Sequence, residues 1–133
     1  MDERKNVQGR ECAFMSELAS YADTDFCYVT TTGRVSHRPH TIEIWFALQE
    51  TTLYLLSGGR EQADWVKNLV RFPQVQVRLG ETSFQGQARL VDEASQEANL
   101  VRRLLFAKYT PRSNDDLEEW SRSALPVAIA LVV

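Results

Sequence analysis

The segment Pro39–Leu48 repeats its side-chain character with a period of two residues. Four apolar side chains fall on one side of the extended chain: Ile42, Ile44, Phe46 and Leu48. This period is what a β-strand with one face against a hydrophobic core requires. The segment therefore predicts a half-buried sheet, and the rest of the chain must supply the strands that pair with it.

Several other short segments are rich in β-branched and aromatic residues or alternate in the same way, which favours strands. They are Phe26–Thr32, Thr52–Ser57, Val75–Leu79, Phe84–Leu90 and Pro126–Val133. Hairpin turns join most of them, so the sheet is expected to be mainly antiparallel. The expected fold class is α+β, predominantly antiparallel β, with about six strands. Closure into a barrel would remove the exposed edges of such a sheet.

Helical spacing of apolar residues predicts short helices beside these strands. The first covers Glu11–Tyr21, and a second covers Glu61–Phe72 and is stopped by a proline. A third begins at a cap that is either Asp92 or Ser95. A fourth covers Asp115–Ser123.

The length of 133 residues predicts one domain, residues 1–133, in which residues 1–10 are expected to be flexible. A net charge of −3 gives no support for nucleic-acid binding. The charged N-terminus is not followed by the apolar core of a signal peptide, and no apolar run is long enough to span a bilayer. Two scattered cysteines, Cys12 and Cys27, are typical of reduced cytosolic thiols. These features predict a cytoplasmic protein without membrane insertion.

A cluster of basic and hydroxyl side chains occupies the predicted turn within Thr30–Thr41. Guanidinium and hydroxyl groups suit phosphate or carboxylate oxygens, so the turn is a candidate anion site. Turns are often polar, and the residues alone leave a solvated turn equally open. The basic members are Arg34, His37, Arg38 and His40.

A second candidate is the run Ser57, Gly58 and Gly59, which stands between a predicted strand and a predicted helix. Glycines let backbone amides approach a ligand, and a helix N-terminus favours negative charge. The run matches neither a P-loop nor GxGxxG. A plain strand-to-helix turn explains these residues as well, and the residues alone favour that interpretation.

Trp65 and Asn68 are three residues apart on a predicted helix, so their side chains are neighbours. Trp65 alone is typical of a core. Asn68 on the same face is less expected there and is a candidate hydrogen-bonding partner for a cofactor ring or loop.

Few residues indicate catalysis or metal binding. His37 and His40 lack a third ligand at a recognisable spacing, so no metal is expected. Tyr109 is a weak candidate for donating a proton to a substrate, with a packing role as the alternative. Glu43 is expected to pair with an arginine of the same hairpin.

Four stretches in order resemble the deazaflavin-dependent nitroreductase family, which belongs to the pyridoxamine phosphate oxidase-like FMN-binding split-barrel superfamily. They read TTTGRVSHRPHTIEIWF, LYLLSGG, DWVKNLVRFPQVQVRLG and FQGQARLV. The resemblance runs from about Phe26 to Val91, and Leu125–Ile129 is similar to the last strand of the family. No single stretch is specific, whereas the four in sequence are.

The resemblance implies a six-stranded split β-barrel with flanking helices, a homodimer, and a deazaflavin cofactor (coenzyme F420), with FMN as the alternative. It also implies the residues that contact this cofactor. They are Thr32, Gly33, Arg34, Ser36, Arg38, Pro39, His40 and Thr41 of the hairpin, Ser57, Gly58 and Gly59 of the loop, and Trp65 and Asn68 of the helix.

The implied function is hydride transfer between the deazaflavin or FMN and a small electron-poor acceptor such as a nitro compound, quinone or enone. A non-catalytic module that binds or carries flavin, deazaflavin or haem is the alternative. The family commonly has glycine where this chain has His37, and often a basic residue in place of Val35. The missing cation is expected to weaken the grip on an anionic cofactor tail.

Overall fold

The computed structural model describes residues 13–132. Seven strands run through it: β1 Cys27–Thr32, β2 Pro39–Ile44, β3 Ala47–Gln49, β4 Thr52–Ser57, β5 Gln74–Leu79, β6 Thr82–Leu90 and β7 Leu125–Leu131. The helices are α1, helical over residues 13–19, α2 Asp64–Arg71, α3 Gln96–Tyr109 and α4 Glu118–Ser123. Single 3₁₀ turns occupy Arg60–Gln62 and Thr110–Arg112. The expectation for residues 1–10 and for Cys12 lies outside the described residues.

All strand pairs are antiparallel, and the sheet order is β2-β1-β5-β6-β7-β4-β3. The two edge strands, β2 and β3, are consecutive in the chain and are separated only by Trp45 and Phe46. Because two residues cannot span a flat sheet, the sheet curls until its edges approach each other. The predicted α+β split-barrel fold is confirmed.

The segment predicted as one strand, Pro39–Leu48, is two strands, which raises the number of strands to seven. Its alternation is nevertheless real, because Ile42, Ile44, Phe46 and Leu48 all pack on the same core. The break has a physical cause in the hydroxyl of Tyr109. It accepts a hydrogen bond from Phe46 N at 3.0 Å and lies 3.1 Å from Phe46 O, replacing the partners of a continuous ladder.

Two cores lie on opposite faces of the sheet. The inner one includes Leu18, Val29 and Leu55, all fully buried. On the outer face, α3 and α4 cover β4 and β7, and residues such as Val101 and Leu105 pack there. These helices therefore bury the second apolar face of β4 and β7.

The helix boundaries differ from the predicted ones in small ways. Ser95 caps α3, since its Oγ accepts a hydrogen bond from Ala98 N at 3.1 Å, and Asp92 lies outside the helix. The helix predicted over Glu61–Phe72 begins only at Asp64, after the 3₁₀ turn. In residues 13–132, no helix combines the length and the apolar character that crossing a membrane takes.

Candidate functional site

The turn between β1 and β2 is tightly folded by its own hydrogen bonds. Gly33 N donates to Arg38 O at 2.8 Å, and His37 N donates to Gly33 O at 2.9 Å. Ser36 Oγ accepts from Arg38 N at 3.2 Å and lies 3.3 Å from His40 Nε2. A Cβ at Gly33 would stand 2.5 Å from Ser36 Oγ and 2.7 Å from His40 Nε2. A Cβ at this position would therefore have to displace the side chains of Ser36 and His40.

The unusual residue of this turn is His37, whose φ is +61°. This left-handed conformation favours glycine, because a Cβ is crowded there. The family that the sequence resembles commonly has glycine at this position, which adopts the same left-handed backbone readily. In this chain the His37 ring rests beside Phe72, with the ring centroids 5.5 Å apart.

Arg34 joins the turn to α2. Its Nη2 lies 3.1 Å from Asp64 Oδ1, and its Nη1 donates to Asn68 Oδ1 at 2.9 Å. The backbone N of Arg34 donates to the same Asn68 oxygen at 3.1 Å. Asn68 is buried and donates through Nδ2 to Thr31 Oγ1 at 3.3 Å. The amide of Asn68 thus holds the hairpin against the helix.

These elements enclose a cavity of about 510 Å³, hereafter the hairpin cavity. Turn, strand β2 and helix α2 each supply part of its wall. Seven of the sequence-predicted cofactor residues line it: Gly33, Arg34, Ser36, His40, Thr41, Trp65 and Asn68. Hydroxyls, an imidazole, a guanidinium and an indole therefore converge on one space, which suits a ring bearing polar and anionic groups.

The other predicted cofactor residues do not line this cavity. Thr32, Arg38 and Pro39 belong to the same hairpin, and Arg38 has no ionic partner in the described part of the chain. The loop Ser57–Gly59 also lies outside its wall. There Ser57 is buried and its Oγ donates to Arg60 O at 3.1 Å.

Sequence reasoning missed three lining residues, Val35, Ile42 and Asp64. Asp64 is the important one, because it places a carboxylate beside the main cation of the cavity. A sequence signal was present: Asp64 is four residues before Asn68 on the same helix, so the two side chains share a face.

A second opening, of about 330 Å³, follows the hairpin cavity along β2 and is hereafter the aromatic groove. Thr41 and Ile42 line the cavity, and the next two residues, Glu43 and Ile44, line the groove. Residues two apart on a strand are separated by about 7 Å, so the two spaces are neighbours. The whole wall of the groove is formed by Phe26, Glu43, Ile44, Trp45, Leu56, Leu117 and Trp120.

Two indole rings shape the aromatic groove. Trp45 and Trp120 meet at 90° with their centroids 5.5 Å apart. Behind Trp45 stacks the ring of Tyr109, with centroids 4.2 Å apart and planes only 2° from parallel. The ring of Trp45 is therefore fixed before any ligand arrives.

The geometry around Tyr109 favours the packing role over proton donation. Its side chain is buried, and its hydroxyl lies 2.8 Å from Asp25 O besides its two contacts with Phe46. Burial raises the pKa of this hydroxyl to about 12. Beside it, Lys108 Nζ donates to Phe46 O at 3.0 Å, and burial lowers the pKa of Lys108 to about 8.

Glu43 does not pair with an arginine of the hairpin, so that expectation is wrong. Its Oε1 accepts a hydrogen bond from the Tyr28 hydroxyl at 2.6 Å, because the strand register places Tyr28 directly opposite it. This bond raises the pKa of Tyr28 above its usual value. The guanidinium of Arg78 lies over the Tyr28 ring, 4.1 Å from its centroid.

A family model described as F420H(2)-dependent quinone reductase matches residues 5–131, nearly the whole chain. No curated protein matches the chain.

Several solved structures share the fold. An F420-H2 dependent reductase, FDR-A, is 18% identical, with 82% of this chain and 95% of that one covered and a TM-score of 0.62. The haem storage protein HutZ from Vibrio cholerae is 16% identical, with 89% of each chain covered and a TM-score of 0.65. A FAD-binding protein from Mesorhizobium loti is 12% identical, with 89% and 87% covered and a TM-score of 0.62. At these identities the likeness is one of fold.

Proposed function

The chain belongs to the F420H(2)-dependent quinone reductase family, and from that premise we propose that it transfers hydride between a deazaflavin and a small electron-poor acceptor such as a quinone. The observation that carries the proposal is the adjacency of two spaces along β2. One is polar and contains a cation, and the other is walled by aromatic rings. Hydride transfer needs the donor and the acceptor to be held next to each other.

The hairpin cavity fits a deazaflavin in size and chemistry. Its volume of about 510 Å³ lies in the range of small-molecule sites. Trp65 offers an aromatic surface, and Ser36, His40 and Thr41 offer hydrogen-bonding groups. A Cβ at Gly33 would push on two of these lining side chains, so the glycine keeps the wall in place.

The cofactor would supply the hydride, and the side chains would bind and orient the reactants. Arg34, fixed by Asn68, would face anionic groups within the cavity. The exposed Arg38 would meet an anionic tail that extends past the turn. The aromatic groove would hold the acceptor ring away from water beside the cavity.

The proposal includes a homodimer. Apolar side chains are exposed near the hairpin and α2, with Val35 85% and Val70 59% accessible. The outer faces of β4 and β7 do not require a partner, because α3 and α4 cover them. Light scattering tests this part, and a mass of 15.2 kDa at micromolar concentration would contradict it.

The function is tested by calorimetric titration with F420 and with FMN, followed by mixing reduced F420 with a quinone, a nitroarene or an enone. We expect F420 to bind more tightly than FMN and the reduced form to be reoxidised by at least one acceptor. In the Arg38→Ala variant the affinity for F420 should fall by about ten-fold, the loss of one charge-assisted hydrogen bond. Arg103→Ala removes an exposed arginine on α3 and should change nothing.

Two results would overturn the proposal. If the protein binds neither F420 nor FMN, the hairpin cavity is not a cofactor site. Binding without reoxidation by any acceptor would make the protein a carrier rather than a reductase.

A further inference from the structure

We propose that the aromatic groove is a binding site for a small organic cation, and that Glu43 selects it. The inference deepens the proposed function. It rests on that function in one respect, because the bound cation is taken to be the hydride acceptor. It depends on three features of the groove: its charge, its rings and its size.

The charge of the groove comes from Glu43, the one charged residue in its wall of seven described residues. Within residues 13–132 it forms no ion pair with a lysine, arginine or histidine. The Tyr28 hydroxyl donates to Oε1 of this exposed side chain, and Oε2 accepts no hydrogen bond within residues 13–132. The guanidinium of Arg78 stacks on the ring of Tyr28, and its Nη1 donates to Gly80 O at 2.7 Å. Arg78 therefore forms no ion pair with Glu43. This carboxylate would repel an anion placed in the groove, whereas a cation would form an ion pair with it.

The aromatic rings of the groove also favour a positively charged ligand. A cation is attracted to the face of an indole when it lies within about 6 Å of the ring centroid. Trp45 and Trp120 both line the groove, with their ring planes at right angles. Phe26, 42% exposed, lies at the rim. Because the Trp45 ring is held by its stack on Tyr109, little ordering is needed when a ligand enters.

The size of the groove limits the ligand. A volume of about 330 Å³ lies at the lower end of small-molecule sites, enough for one or two rings. The apolar side chains of Ile44, Leu56 and Leu117 complete the wall. The best occupant is therefore a compact aromatic ring that carries a quaternary ammonium or an N-alkylated ring nitrogen. In the proposed reaction, this chemistry selects positively charged quinones or nitroarenes over anionic ones.

Binding is measured first, without cofactor or turnover, by calorimetric titration of the full chain. The probes are benzyltrimethylammonium, benzyl alcohol and phenylacetate, which share a ring and differ in charge. We expect the cation to bind about ten-fold more tightly than the neutral probe, the gain of one ion pair and cation–π contact, with the anion weakest. The Glu43→Gln variant should lose this preference, and Trp120→Leu should weaken all three probes.

Glu50→Gln is the matched control, since Glu50 is an exposed carboxylate in the turn between β3 and β4. Its affinities should equal those of the unchanged protein. Equal binding of all three probes by the unchanged protein, or a cation preference that survives in Glu43→Gln, would overturn the inference. Circular dichroism of each variant separates a loss of fold from a loss of the site.

Turnover is then compared for cationic, neutral and anionic quinones with reduced F420. The cationic quinone should have the lowest KM, and Glu43→Gln should raise that KM while leaving the neutral one unchanged. If the cation binds but no quinone is reduced, the proposed function fails and the site stands. If quinones are reduced without any charge preference, the function stands and this inference fails.

Discussion

Arg34 and Asp64 form an ion pair across the wall of the hairpin cavity, with Nη2 and Oδ1 3.1 Å apart. The arginine that would bind an anionic cofactor is thus already partnered by a carboxylate, whose side chain is 85% exposed. An incoming phosphate or carboxylate must share the guanidinium with Asp64 and tolerate its negative charge.

Replacing Asp64 by asparagine should therefore strengthen cofactor binding. Removing one like charge beside the bound anion is expected to raise the affinity for F420 by about three- to ten-fold at low salt, with less gain at high salt. The stability should change by less than about 1 kcal/mol, because the pair is largely exposed. Calorimetry at two ionic strengths measures the effect. Glu61→Gln, at an exposed position just before α2, is the control, and an affinity for Asp64→Asn that is unchanged or lower would contradict the prediction.

Alanine at Gly33 should damage binding more than folding. The new Cβ would displace Ser36 Oγ and His40 Nε2, which both line the hairpin cavity. Cofactor affinity should fall at least several-fold, as measured by absorbance titration. Ser83→Ala, at an exposed position on β6 outside the wall of the hairpin cavity, is the control and should bind normally. Normal binding by Gly33→Ala would place the cofactor elsewhere.

The Tyr109→Phe substitution should destabilise the fold while preserving the stack on Trp45. It leaves Phe46 N without its partner in a buried setting, which costs about 1–3 kcal/mol. Tyr21→Phe removes a partly buried hydroxyl whose one hydrogen bond within residues 13–132 is to Thr82 Oγ1, at 2.7 Å, so its cost should be smaller. Urea unfolding compares the two variants. Equal costs would show that the Tyr109 hydroxyl does not hold the break between β2 and β3.

Lys108 should make the stability depend on pH in the alkaline range. Burial lowers its pKa from 10.5 to about 8, so between these values the unfolded chain binds more protons than the native state. The contribution of Lys108 to stability therefore rises with pH across this window. The free energy of unfolding is measured for the unchanged protein and for Lys108→Met at several pH values. The value for the unchanged protein minus that for the variant should increase with pH. The raised pKa values of Tyr54 and Tyr109 act in both proteins and largely cancel in the difference. Because Lys108 and Cys27 influence each other's pKa, both proteins are compared in a Cys27→Ala background. A difference that is flat or that decreases would contradict this assignment.

The strands and helices were readable from the sequence because their signals are local. The alternation of Pro39–Leu48 and the hairpin turns need only neighbouring residues to be recognised. The interruption of that strand at Trp45 and Phe46 was not readable, because its cause, Tyr109, is more than sixty residues away in the chain.

The candidate site was found only in part for the same reason. The hairpin residues and Trp65 were singled out by their residue types and by the resemblance to a family, and the cavity brings most of them together. The pairing of Arg34 with Asp64 and of Glu43 with Tyr28 was not identified, because each depends on packing between separate elements. Whether these residues bind a cofactor stays a prediction.

The sequence by itself determined which segments form strands and helices and which family the chain resembles, since periodicity and motif order are written along the chain. Only the tertiary structure decided which charges are already partnered and which remain for a ligand. An ion pair or a stacked ring depends on distances of a few ångströms between residues distant in sequence, and these distances exist only after the sheet has curled and the helices have packed on it.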